Sequence, residues 1–424
     1  MEEILQGQRL IKSKQTNFNG WIITLSLLFL AGGYFIAERL IRGLEVTNLT
    51  SSMPWGAWIA FYIFFVGLSA GSFLLSSLIY VFNMREFEKV GKAALFTAII
   101  CMVVAGTFVF VDLGRPERVL NAIIFWNVTS ILSWEVHFYI VYVLLLSVEL
   151  YIAMREDLVR LRTSETIKGK IARLLTSKKS VISAYTQKRD HLWMKILGMI
   201  GIPLAIFGVH GGTGTLFAVV KARVGWNTAL FPIIFVVSAM VSGTALLLAM
   251  YIIKRKAQRK SIDQKMVQKL SALMIAFLIV DLGLQFFEYL VGFYGLEHEH
   301  LATLRTTMAS PFSWSFWGVQ LFLGSLIPIV LFFWRRTRTS VNAMLAAAIL
   351  IVIGIIGVRF NIVVPALIVP LFDGLPAGYY YPTLSEWMST IGIIAFGLLL
   401  YTFGEKILPI DDENLQNGGL QHGE

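Results

Sequence analysis

Charge is scarce in this sequence. Of 424 residues only 15% are Asp, Glu, Lys or Arg, while 56% are hydrophobic, at a mean hydropathy of +0.71. A soluble domain cannot hide that much apolar surface, so an integral membrane protein is expected. Cysteine is almost missing: Cys101 stands alone. One thiol makes no internal disulfide and cannot hold an iron–sulfur cluster, so any cluster belongs to a partner chain. No short apolar core followed by small residues opens the chain. The start, "MEEILQGQRLIKSKQ", is acidic and amphipathic, and it reads as a retained segment rather than a cleaved signal peptide.

Long apolar runs are what the chain does have. Runs able to cross a bilayer lie near 21–38, 57–82, 93–112, 130–152, 193–217, 229–253, 268–291, 313–334, 341–367 and 385–404, giving ten expected helices. The 36 Lys and Arg outnumber the 26 Asp and Glu, a balance that by itself suggests nucleic acid. Their placement does not. With the N-terminus inside, about 28 fall on the cytoplasmic side, 7 on the external side, and Arg359 lies within a span. This is the positive-inside bias. The basic stretches at 153–195 and 254–265 are therefore topology determinants, both termini are expected in the cytoplasm, and no nucleic-acid partner is expected.

"FVFVDLG" at 108–114 returns as "FLIVDLG" at 277–283. Each copy follows a span with a small-residue patch: Gly67, Ala70 and Gly71 in the first, Ser238, Ser242 and Gly243 in the second. Each precedes a span opening on Ser-Trp, at Ser133 and Ser313. Four elements in one order imply two copies of a four-helix unit. Four is even, so the repeat is parallel. The expected fold is an all-α integral membrane protein: two parallel-repeat four-helix bundles at 57–217 and 218–367, with two flanking helices. The flanking regions are a cytoplasmic tail at 1–20, the first flanking helix and an external loop at 21–56, and the last flanking helix with a cytoplasmic tail at 368–424.

Ionisable groups at membrane depth are costly and should face a bundle interior. At about 1.5 Å per residue, His137 and His210 both sit about 10 Å from the external side. Asp112 ends its span at that interface, and Glu135 is two residues from His137. These four are expected to gather in the outer half of the first unit. In the second unit Asp281, Gln285 and Glu288 share one helix face. Arg359 reaches nearly the depth of Glu288, so an Arg359–Glu288 ion pair is the structural expectation and a proton path through Asp281, Glu288 and Arg359 the functional one. Asp112 is expected to pair with Arg115 or Arg118 and fix the corner that follows. With no histidine in its spans, the second unit reads as a diverged copy lacking the first unit's site.

"PWGAW" (54–58), "GLSAGSFLL" (67–75), "DLGRPERV" (112–119) and "SWEVHFY" (133–139) resemble the NrfD/PsrC family of quinone-linked membrane subunits in bacteria and archaea. "HGGTGTLF" (210–217), "VRFNIV" (358–363) and "YYPTLSEWMSTIGIIAFG" (380–397) are similar to its ten-helix branch, which includes HybB and DsrP. HybB-like chains have His-Gln-Ser where this one has His210-Gly211-Gly212. The resemblance implies a quinone or menaquinone pocket in the first bundle, opening near the external face against a ferredoxin-like iron–sulfur subunit. It also implies no haem or cluster in this chain.

The reading is a quinone-reactive subunit of a respiratory oxidoreductase complex in a prokaryotic cytoplasmic membrane, active only with its partners. Those include the iron–sulfur subunit and a further catalytic or multihaem cytochrome subunit, with membrane lipid around the chain. Quinone chemistry needs groups that bond its carbonyl oxygens and titrate near neutrality. His137 is the first expected ligand and His210 the second, with Trp134 stacking on the ring and Glu135 and Asp112 relaying protons. No metal site is expected. A secondary transporter, and a haem b cytochrome with His137 and His210 as axial ligands, are the alternatives.

Overall fold

A computed structural model describes residues 2–82, 84, 87–177, 181–295, 297–372 and 374–410. The expected tail from 411 onward lies outside them. Among the described residues every regular element is helical, and ten helical segments are long and apolar enough to cross a bilayer. The all-α, ten-span expectation therefore holds.

The spanning elements are α1 (Glu2–Arg42), α2 (Ala57–Tyr80), α3 (Glu88–Asp112) and, after a four-residue helix α4 (Asn121–Ile124), α5 (Ile131–Leu161). A nine-residue helix α6 (Ile167–Leu175) follows outside the spans. The fifth span joins α7 (Ala184–Pro203), a π-helical turn (Leu204–His210) and α8 (Gly211–Ala218). Then come α9 (Phe231–Ala257), α10 (Gln264–Tyr294) and a helix outside the spans, α11 (His298–Ala309). The eighth span joins a second π-helical segment (Ser315–Leu326) to α12 (Ile327–Phe333), and α13 (Val341–Ile368) and α14 (Leu384–Ile407) complete the set.

Several helices outrun the apolar stretches that announce them. α5 continues to Leu161, past the expected end near 152, because the residues beyond are good helix formers with partners. Asp157 pairs with Lys92 of α3, and Arg155 with Asp190 of α7. Hydropathy sees only the part of a helix that lipid surrounds.

α2 is the central element: 89% of its most apolar window is buried in the protein, against 11% for α1, which lies at the edge. Phe207, Leu30 and Val291 are exposed on the outer surface, where hydrocarbon replaces water as the favourable neighbour. α2 packs on α3, α9, α13 and the fifth span, while α1 reaches the body mainly through α14.

The α2–α9 crossing shows why the two small-residue patches exist. Gly71 and Gly243 meet backbone to backbone: a Cβ at Gly71 would overlap the Ala239 carbonyl, and one at Gly243 would overlap Gly71 itself. Without a hydrophobic drive between helices in lipid, such close approach lets dispersion hold them. Gly32 with Gly392 and Gly324 with Gly354 form similar crossings elsewhere.

Candidate functional site

One stripe of α5, carrying Glu135, Tyr139, Tyr142, Leu146 and Glu149 at helical spacing, faces the interior. Toward the N-terminal end of the helix Tyr139 donates to Glu135 Oε1 at 2.6 Å. Its hydroxyl also meets Tyr62 Oη of α2 at 2.7 Å and Thr213 Oγ1 of α8 at 2.8 Å. Thr213 in turn donates to the Val209 carbonyl at 2.8 Å. Glu135 is buried, and its Oε2 has no hydrogen-bond partner. The result is an acid–phenol–phenol chain with one open carboxyl oxygen, assembled from three spans. Further in, Tyr142 donates to the Ser69 carbonyl at 3.3 Å. Glu149 lies about 21 Å along the helix from Glu135, buried with Oε1 unpartnered.

The expected gathering of Asp112, Glu135, His137 and His210 takes a different form. His137 follows Glu135 by two residues, so it points to the other side of α5. There it is half-buried and stacked on Trp126 with centroids 4.4 Å apart. Its Nδ1 lies 2.7 Å from the Ser133 carbonyl, which places the proton on Nδ1 and leaves Nε2 as an acceptor in the neutral ring. Trp134 meets Trp126 edge-on at 5.2 Å and donates to the Val128 carbonyl at 2.8 Å. These three rings form an outward-facing shelf.

His210 ends the π-helical turn and is fully buried, its ring set against the Val66 and Gly67 backbone of α2. Its charged neighbour is Arg359. Both approach Gly67 of α2. From the point where a Gly67 Cβ would sit, Arg359 Nη2 is 3.5 Å, Ser242 Oγ 3.6 Å and His210 Cε1 3.8 Å away. A side chain there would press on all three. His210 is thus set where α2, α9 and α13 meet, apart from the shelf that holds His137.

The Arg359–Glu288 ion pair does not form. Arg359 instead donates to Ser238 Oγ at 2.8 Å and lies 4.6 Å above the Phe235 ring. Asp281 is the carboxylate that acts on it. Asp281 accepts from Gln285 Nε2 at 2.6 Å, Gln285 Oε1 accepts from Gln320 at 2.7 Å, and Gln320 Oε1 accepts from Asn361 at 2.7 Å. Glu288 accepts from Thr228 at 3.0 Å. The shared face of Asp281, Gln285 and Glu288 is buried along its length.

Asp112 also has another neighbour than expected. The cation beside it is Arg39 of α1, and Glu386 of α14 acts on it too. Arg39 donates to the Leu113 carbonyl, placing positive charge at the C-terminus of α3, where the helix dipole favours it. Arg115 and Arg118 are nearer in sequence, but the corner turns them away. Glu386 closes a capping box with Thr383 and accepts from Tyr380, whose hydroxyl takes the Ala57 amide at 2.6 Å. Burial and the Glu386 carboxylate push the Tyr380 phenol well above its ordinary range. The Tyr380 ring fills the space a Gly56 side chain would need. The "PWGAW" and "YYPTLSEW" stretches are therefore two sides of one structural joint.

Sequence reasoning missed Tyr62, Tyr139, Thr213 and Glu149. The i, i+4, i+14 spacing of Glu135, Tyr139 and Glu149 was the available signal. Among the described residues no group of three or more His, Cys, Asp and Glu is placed to hold a metal ion.

Comparison with known proteins finds relatives that match this chain nearly end to end. A selenate reductase subunit from Mesobacillus selenatarsenatis is 38% identical, over 92% of this chain and 94% of its own length. An Hdr-like menaquinol oxidoreductase integral membrane subunit from Archaeoglobus fulgidus is 28% identical, over 89% and 90%. A menaquinone reductase integral membrane subunit from Nitratidesulfovibrio vulgaris is 24% identical, over 93% and 92%. Residues 45–370 match the family described as polysulphide reductase, NrfD, and the chain belongs to that family.

Proposed function

We propose that this chain is the quinone-reactive membrane subunit of a respiratory oxidoreductase complex, exchanging electrons between a partner's iron–sulfur cluster and the quinone pool. The observation that carries it is the Glu135–Tyr139–Tyr62–Thr213 chain. In the outer half of a bilayer-spanning bundle, a buried carboxyl keeps one oxygen free while phenols fix the other. The substrate supplies two-electron, two-proton chemistry at its carbonyl oxygens. Glu135 Oε2 can hold or take the proton exchanged there, Tyr139 fixes the carboxyl's orientation, and Tyr62 and Thr213 fix Tyr139. These groups fit a polar head group entering from lipid. The shelf of Trp126, Trp134 and His137 offers aromatic faces and a free Nε2 on its approach.

Relatives named for menaquinol and menaquinone support menaquinone as the substrate class. His137, His210, Asp112 and Trp134 keep their proposed parts around the pocket, with His210 placed to feel the second half. A haem shared by His137 and His210 finds no support in the geometry, because the two rings have different surroundings.

The parallel repeat is part of the same reading. Packing supports it: α2 meets its counterpart α9 at Gly71 and Gly243, and the fifth span packs on α9 as α13 packs on α2. "GVH" at 208–210 and "GVR" at 357–359 occupy corresponding spans, so His210 and Arg359 are counterparts that meet near the axis. The second half, through Asp281 and Glu288, is proposed to move protons.

Binding tests the function. A short-chain naphthoquinone should bind the purified subunit saturably, and Glu135→Ala should weaken it about 10–150-fold, the equivalent of one hydrogen bond to a charged group. Unaltered binding would place the head group elsewhere. Orientation is tested by thiol labelling. Cysteines introduced at Ser164 and Glu297 should react from opposite sides, Ser164 from the cytoplasm, and reaction of both from one side would sink the proposed topology.

A further inference from the structure

The second half has no histidine in its spans, yet the structure delivers one to it. Helix α11 lies outside the spans between α10 and the eighth span, and it turns His300 inward. His300 Nε2 lies 3.9 Å from Glu288 Oε1, with both side chains nearly buried. Its seat is made by Gly292, one turn beyond Glu288. A Cβ there would come within 2.7 Å of both His300 Nε2 and Leu304 Cδ1. A cavity of about 60 Å³ lies among Gln285, Glu288, Tyr289, His300, Thr303 and Asn361. At roughly 10–15 Å³ per enclosed water, it has room for a short chain of waters. Glu288 Oε1 is buried and has no hydrogen-bond donor. At the inner end Gln285 binds Asp281, whose Oδ1 is likewise unpartnered.

We propose that this cavity is the external mouth of the Asp281–Glu288 column and that His300 exchanges protons between Glu288 and external water. The inference rests on the reading that the second half moves protons. Burial holds the His300 imidazole below its ordinary range, opposed in part by Glu297, so the ring is neutral and able to accept. In the outward step the Glu288 O–H bond breaks and its proton joins His300 Nε2. That leaves a carboxylate facing an imidazolium. The imidazolium then gives its Nδ1 proton to external water, the carboxylate is reprotonated from the Asp281 side, and exchange of the ring proton through water restores Nε2 as the acceptor before the next transfer. No electrons move, and the inward step is the reverse. The ionisable groups around the ring are Glu288 and Tyr289 of α10 and Glu297 before α11. Glu299 of α11 acts instead on Arg223.

The test uses the whole complex in liposomes, with a menaquinol analogue driving turnover and a pH dye following protons across the bilayer. His300→Gln and Gly292→Ala should each keep turnover within twofold and lower transmembrane proton movement tenfold or more. Gly292→Ala removes no titratable group and displaces the ring and the Leu304 methyl beside it, so a proton defect shared by both variants, with turnover kept, separates the role of His300 from a folding defect. Proton movement unchanged in both variants would overturn the role of His300. If the wild-type complex turns over without transmembrane proton movement, or Asp281→Asn leaves that movement intact, the column itself fails and this inference with it. The quinone assignment, read from turnover and its loss in Glu135 variants, stands or falls separately.

Discussion

Glu135→Gln is expected to lower quinone-linked turnover by about 10²–10⁴-fold, the usual contribution of a positioned proton-transfer group, while the subunit still assembles. Glutamine keeps the shape and still accepts the Tyr139 hydroxyl, so the packing of α5 against α2 and α8 survives. What it loses is the ability to hold a titratable proton on the open oxygen. Tyr139→Phe should cost less, about 2–10-fold, since it removes one neutral hydrogen bond that orients the acid. The comparison that decides is His137→Ala. On the shelf, its loss removes an approach contact and should change apparent affinity more than the maximal rate. If His137→Ala abolishes turnover and Glu135→Gln does not, the chemistry takes place on the Trp126 side of α5 and the acid–phenol chain is only structural.

Asp281→Asn and Arg359→Leu should each destabilise the protein strongly, and together they should restore most of the loss. The two make no direct ion pair, yet both are buried and Asp281 is the carboxylate that acts on Arg359. Removing either leaves a buried charge uncompensated, at a cost of at most the roughly 3–5 kcal/mol of a broken contacting pair, whereas replacing both is often neutral. The two singles should differ. Asp281 left alone can shed its charge by taking a proton, but Arg359 cannot give one up, so Asp281→Asn is the costlier change. Thermal stability in detergent reads this directly. Additive losses in the double variant would show that Arg359 is held by Ser238 and Phe235 alone and that Asp281 answers to something else.

The spans are legible in the sequence because lipid imposes a plain rule: about twenty apolar residues, backbone bonds satisfied within the helix. Spacing along each helix is legible too, since rise per residue is fixed. Azimuth is not. Which way a side chain faces depends on neighbours from other helices, and every misplaced partner is of that kind. Proximity along the chain pairs Asp112 with Arg115, whereas in the fold Arg39 arrives from α1. Depth alone pairs Arg359 with Glu288, yet Arg359 meets Ser238 and feels Asp281. Tyr62 and Tyr139 read as ordinary interfacial aromatics until α8 supplies Thr213. His300 sits in a connection that hydropathy counts as outside, so nothing local announces that it folds back onto Glu288.

The π-helical turn at Leu204–His210 acts as a phase shifter. A π turn contains one residue more than the α turn it replaces, and one residue is about 100° of rotation. Before the turn, Gly198 and Gly201 set their bare faces against Val81, Phe73 and Leu145. After it, His210 must aim at the Arg359 side and Thr213 at Tyr139. A straight α-helix cannot satisfy both halves of the span at once: whichever end docked, the other would point about a quarter-turn astray. Deleting a single residue between 204 and 208 would therefore let the turn close as an ordinary α turn with both halves of the span still correctly aimed. Inserting one residue between His210 and Thr213 would instead turn Thr213 about 100° from Tyr139, separating the polar machinery without touching any group that carries a charge.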